Sequence, residues 1–140
     1  MLVGKYDQNI DVKGRVNIPS KFRSALGETF VVAVGDEKCV NIYPLSEWNA
    51  FMQRVENVPV EDRAMLMRYI QQTSAECDLD SQGRVVIPPA IREYAELTKE
   101  IVVVGEHKKV EVWSLENWKG YTDATFDMDK INDIMKQIGI

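Results

Sequence analysis

Two aspartates each stand four residues ahead of an arginine. Asp11 precedes Arg15 in "DVKGRVNIPSKFR", and Asp80 precedes Arg84 in "DSQGRVVIPPAIR". Two carboxylates can divide acid and base duties when a fold brings them together. An arginine can do something different. Its planar fork of donors grips a phosphate, or guanine O6 and N7, with two bonds at once. The surroundings favour the arginines. Lys13, Asn17 and Lys21 flank Arg15, whereas Gln82, Val86 and Ala90 hold the matching places around Arg84. The first stretch is thus the stronger anion-facing surface, with Arg84 as a weaker partner. For Arg23 and Arg92, which end the two stretches, an ion pair with a nearby aspartate is the expected role.

Other chemistries lack their residues. Nucleophilic catalysis needs a base beside a Ser or Cys, and the one histidine, His107, falls in a turn-like "GEHKKV". Cys39 and Cys77 with that histidine fall short of the four ligands a zinc site takes. The acidic "ECDLD" (Glu76, Asp78, Asp80) lacks the spacing of a calcium loop. A phosphate-binding loop needs a second glycine and a Lys-Ser/Thr pair ahead of a helix. "DVKGRVN" has one glycine and leads into a strand. No metal or cofactor is therefore expected.

The net charge of the 140 residues is −5. It is unevenly spread: residues 1–27 carry five cations and two anions, residues 71–140 eight cations and thirteen anions. A local basic surface on an acidic chain suits a selective anion contact better than unselective coating. No apolar run approaches the ~18 residues of a membrane span. The N-terminal "MLVGKYDQNID" has no basic-then-apolar leader, so a cytoplasmic protein with two free thiols is expected.

The two stretches belong to an internal repeat. At an offset of 69, residues 11–23 and 80–92 agree at seven of thirteen positions. At an offset of 70, "VVAVGDEKCVNIYPLSEW" (31–48) agrees with "IVVVGEHKKVEVWSLENW" (101–118) at seven of eighteen. Each unit reads as a strand, a turn at Gly14 or Gly83, a second strand, a short helix opened by proline, and a β-hairpin. A strand-end aspartate ahead of a glycine turn can accept the turn's amide hydrogens, so Asp11 and Asp80 each have a structural use.

A unit of about 45 residues is at the lower limit for folding alone, and its strand edges invite pairing. The economical solution pairs the copies with each other. The expected fold is α+β, a pseudo-twofold β-barrel built from both repeats with peripheral helices. The expected segments are a first repeat at 5–48, a helical connection at 49–73, a second repeat at 74–118 and a C-terminal helix at 119–140, with both repeats folding as one unit. "LSEWNAFMQRVENV" reads as a helix capped by Ser46, with Trp48, Phe51, Met52 and Val55 at helical spacing. Leu66, Tyr69 and Ile70 form a stripe in the connection. Met128, Ile131, Met135 and Ile138 form another at the C-terminus, where a subunit interface competes with core packing.

With these pieces laid out, the chain resembles the MraZ family, within the wider AbrB-like swapped-hairpin β-barrel transcription factors. The resemblance rests on "GKYDQNIDVKGRVNIPSKFR", "YPLSEW" and "LDSQGRVVIPPAIREYA" and covers nearly the whole chain. It implies a sequence-specific DNA-binding regulator, not an enzyme. Such a regulator acts on short direct repeats in the promoter of the division and cell-wall gene cluster that includes its own gene. It further implies nucleoid association and ring-like homo-oligomers, often octamers. The family's key arginine falls on Arg15, with Arg84 its counterpart; Lys13, Lys21 and Asn17 complete the expected DNA-facing set. Two rivals stand beside this reading. One is a protein-interaction module such as an antitoxin that occludes a toxin. The other is an enzyme using Asp11 and Asp80 in a shared pocket.

Overall fold

The computed structural model describes residues 1–140. The chain forms β1 (Val3–Asn9), β2 (Arg15–Asn17), α1 (Ser20–Leu26), β3 (Thr29–Val34), β4 (Val40–Pro44), α2 (Leu45–Glu56) and α3 (Val60–Gln72). The second half gives β5 (Ser74–Asp78), β6 (Arg84–Val86), α4 (Pro89–Tyr94), β7 (Glu100–Glu106), β8 (Val110–Ser114), α5 (Leu115–Thr125) and α6 (Met128–Gln137). Elements β1 to α2 recur in order as β5 to α5.

Local chemistry sets many of the boundaries. Proline occupies the entry of α1 and α4, where a missing N–H costs nothing. Gly27 ends α1 at φ 80° and donates its N–H to Arg23 O. The second copy lacks that glycine, and Glu96 takes the left-handed conformation instead, at φ 58°. The Ser46 cap is not formed. Helix α2 begins two residues earlier than that cap implies, at Leu45, and Pro44 holds its cap position, with no side-chain acceptor to offer. The equivalent Ser114 does cap α5, accepting from Asn117 N at 3.0 Å.

The copies are interleaved. The main sheet runs β1-β7-β8-β4-β3-β5, antiparallel throughout, and β2 pairs with β6 in a separate ribbon. Strand β1 of the first copy lies on β7 of the second, Val3 opposite Glu106 through to Asn9 opposite Glu100. Strand β5 of the second lies on β3 of the first. β4 pairs β8 at the centre. Only the β3–β4 and β7–β8 hairpins pair within a copy.

The ladders do not close into the expected barrel: β1 and β5 remain the two edges of the main sheet. The reason lies in the short ribbon strands. Where β1 would meet β2, the Gln8 side chain replaces a ladder, donating Nε2–H to Asn17 O at 2.7 Å and accepting from Asn17 N at 3.0 Å. Cys77 occupies the matching position in the second copy and cannot make that pair of bonds.

Sheet, ribbon and short helices enclose one cluster of 19 buried residues drawn from both copies. Alternation along the strands sends Phe30, Val32, Val40, Ile42, Ile101, Val103, Val110 and Val112 into it. Val16 and Val85 enter from the ribbon, and Phe22 from α1 meets Tyr6 edge to face at 5.4 Å. The sheet's other face is packed under α2 and α5. Helix α6 has no buried residue, and no helix is long and apolar enough to cross a membrane.

Candidate nucleic-acid interface

The ribbon gathers the singled-out residues. Its register sets Arg15 opposite Val86, Val16 opposite Val85, and Asn17 opposite Arg84. The two central valines point into the core, so strand alternation turns Arg15, Asn17, Arg84 and Val86 outward together. Lys13 is exposed in the turn that enters β2, and Lys21 is exposed on the first turn of α1. A two-stranded ribbon has the dimensions of a major-groove reader.

Each arginine is set by the turn before it. Asp11 Oδ1 accepts from Lys13 N at 3.0 Å and from Arg15 N at 2.8 Å. Asp80 Oδ1 does the same for Gln82 N (2.8 Å) and Arg84 N (2.9 Å). Gly14 and Gly83 take φ of 81° and 76° to complete the turns. The second oxygen of Asp11 accepts from Arg15 Nε at 2.5 Å, and that of Asp80 from Arg84 Nε at 3.0 Å. The bond from the Arg15 amide holds the Asp11 carboxyl below the ordinary carboxylate range, and the Arg15 guanidinium adds to it, against partial desolvation. The Arg84 amide does the same for Asp80.

The consequence is a pre-aimed cation. Only Nε of Arg15 is engaged, and its two terminal nitrogens make no hydrogen bond within the chain. They remain available for an anion or a base edge, while the aspartate removes the rotamer freedom that binding would otherwise freeze. Arg84 is held in the same way.

Arg23 and Arg92 do not form the expected ion pairs with aspartate. The carboxylates of Asp11 and Asp80 are already taken by Arg15 and Arg84. Arg23 donates Nε–H to Ile18 O at 2.9 Å, and its guanidinium lies over Gly83 of the other copy. Arg92 lies over Gly14 in the reciprocal arrangement. A Cβ at either glycine would run into that guanidinium. The glycines are therefore needed twice, for positive φ and for the arginine stacked above. Sequence reasoning also missed Gln8, whose amide fixes the Asn17 backbone; a lone glutamine in a strand gives no signal.

The shared carboxylate pocket is not formed. The cavity beside Asp80 is lined by Arg23, Ser24, Glu28 and Ser81 among others, and Asp11 is not in its wall. His107 sits at φ 69° in the β7–β8 turn and donates its N–H to Leu2 O. Cys39 and Cys77 are free thiols. Burial, with Glu111 beside it, pushes the Cys39 thiol up to about 12. Such a thiol is inert at neutral pH.

The family model described as "MraZ protein, putative antitoxin-like" matches residues 1–68 and 71–137, two segments that each contain one of the two repeats. The chain belongs to the MraZ family. A "Transcriptional regulator MraZ" from Lachnoclostridium phytofermentans is 43% identical over 141 residues, covering 100% of this chain and 99% of that one. Proteins of the same name from Halothermothrix orenii and Clostridium tetani are 38% and 37% identical, with each chain covered fully. MraZ is thus a family of transcriptional regulators and not of enzymes.

Proposed function

We propose that this protein is a cytoplasmic, nucleoid-associated, sequence-specific DNA-binding regulator. It reads short direct repeats in the promoter of the division and cell-wall gene cluster that includes its own gene. The observation that carries the proposal is the outward face of the β2–β6 ribbon, where Asp11 orients Arg15 and leaves its terminal nitrogens free. Arg15 reads bases, Asn17 and Arg84 assist on the same face, and Lys13 and Lys21 contact phosphates.

Charge supports a repeated, modest contact. If each protomer neutralises ~2–3 phosphates, one protomer binds weakly and with strong salt dependence. A ring-like homo-oligomer of octameric size, matched to several promoter repeats, raises affinity through avidity. The swapped-hairpin barrel is part of the same reading. It is supported by the interleaved ladders and by the Gln8 bridge between β1 and β2.

The test is a gel-shift titration on DNA from upstream of the protein's own gene. Arg15→Ala lowers affinity roughly 10-fold or more, the scale of one good bidentate contact, with folding and oligomer size unchanged. Full binding by that variant contradicts the site. A stoichiometric protein partner that co-purifies and covers the ribbon would favour the toxin-occluding alternative, which the wording of the family description supports.

A further inference from the structure

Four side chains stand on the outward face of the β2–β6 ribbon, and one of them is not polar. Arg15, Asn17 and Arg84 share that face with Val86. Val86 is 52% exposed, whereas Val85 and Ile87 on either side of it are buried. Strand formation does not require a valine there. Asn17 fills the same place in the first copy, and asparagine is depleted in strands. Strands β2 and β6 nevertheless have the same length, three residues each.

The register sets Val86 directly opposite Arg15, and Asn17 directly opposite Arg84. Residues so opposed have Cβ atoms about 4.5–5.5 Å apart and act together on what the face meets. The ribbon therefore presents two unlike pairs, an arginine beside a valine and an arginine beside an asparagine. Each polar member has a base-edge partner in the major groove. Arginine matches guanine O6 and N7, and asparagine matches adenine N6 and N7. Valine offers no hydrogen bond, and the groove feature that suits it is the C5-methyl group of thymine. Two equivalent antiparallel strands also have a local twofold, which exchanges Arg15 with Arg84 and Asn17 with Val86. Twofold protein faces match palindromic duplexes. Asparagine against valine breaks that symmetry on the face itself, and Val12 and Lys13 against Ser81 and Gln82 break it in the turns.

We propose that Val86 is a specificity-determining residue that packs against the C5-methyl group of a thymine beside the base pair read by Arg15. This inference rests on the proposed DNA contact of the ribbon and adds a base that hydrogen bonding alone does not identify. With Asn17 at the other end of the face, Val86 gives the ribbon one polarity along the duplex. A module that reads direct repeats needs such a polarity, because every repeat must be met in the same orientation.

The test is a set of gel-shift titrations on synthetic duplexes of the upstream DNA. Thymine is replaced by deoxyuridine at one position of every protected repeat at a time. Deoxyuridine keeps the hydrogen bonds of thymine and lacks only its methyl group. At one position the replacement is expected to weaken wild-type binding roughly fourfold or more, the scale of one buried methyl group. Val86→Ser is expected to weaken binding to the unmodified duplex by a similar factor and to be indifferent to deoxyuridine at that position. The side chain is exposed and points away from the core, so the variant folds. A wild type indifferent to every replacement overturns the inference. So does a Val86→Ser protein that keeps the full deoxyuridine effect, or a protected repeat with no A·T pair beside a guanine. A wild type that binds none of the unmodified duplexes overturns the DNA reading itself, which separates the two failures.

Discussion

At residue scale, the Asp-x-x-Gly-Arg unit combines a turn and a cation holder in one side chain. Because its amide and guanidinium bonds hold the Asp11 and Asp80 carboxyls below their ordinary range, their contribution is complete at neutral pH. It is lost only as pH falls through those lowered values. The amide NMR signals of Lys13, Arg15, Gln82 and Arg84 are expected to move together at acid pH, below the ordinary carboxylate range; movement at the ordinary value contradicts the assignment. Gly14→Ala forces a Cβ into positive φ, at about 1–2 kcal/mol, and also displaces Arg92. A lower denaturant midpoint checks this, and an unchanged one contradicts it. Asp11, Gly14 and Arg15 were readable from the sequence because turn chemistry is local. The placement of Arg23 and Arg92 was not, since each reaches across to the other copy's glycine.

At element scale, strand alternation on three-residue strands places Arg15, Asn17 and Arg84 on one face. The repeat implied two equivalent strands; their register with each other depends on packing of Val16 against Val85 and was not local information. The absence of a backbone ladder between β1 and β2 was equally hidden in the sequence. A glutamine side chain substitutes for backbone between β1 and β2. Gln8→Ala is expected to loosen β2 and weaken DNA binding several-fold with little loss of global stability, about 1 kcal/mol for the hydrogen bonds removed. Parallel gel-shift and denaturation measurements separate the two effects. The Leu66, Tyr69 and Ile70 stripe divides in the structure: Ile70 is buried, whereas Tyr69 is 57% exposed.

At the scale of the whole molecule, the interleaving makes each copy part of the other's sheet. Unfolding is therefore expected to be a single transition. Fluorescence from Trp48 alone and from Trp113 with Trp118 should report the same midpoint; separated midpoints contradict this. Phe30→Ala, at the centre of the shared cluster, is expected to cost about 3–5 kcal/mol and to lower both signals together. The uneven charge distribution was plain in the sequence, and the fold concentrates its basic part on the ribbon and the elements beside it. The most direct test of the central claim is footprinting on the DNA upstream of the protein's own gene, at two salt concentrations, with wild type and Arg15→Ala. The account predicts protection of evenly spaced short repeats that fades at the higher salt and is absent for Arg15→Ala. Uniform protection, or repeat protection that survives Arg15→Ala, would contradict it.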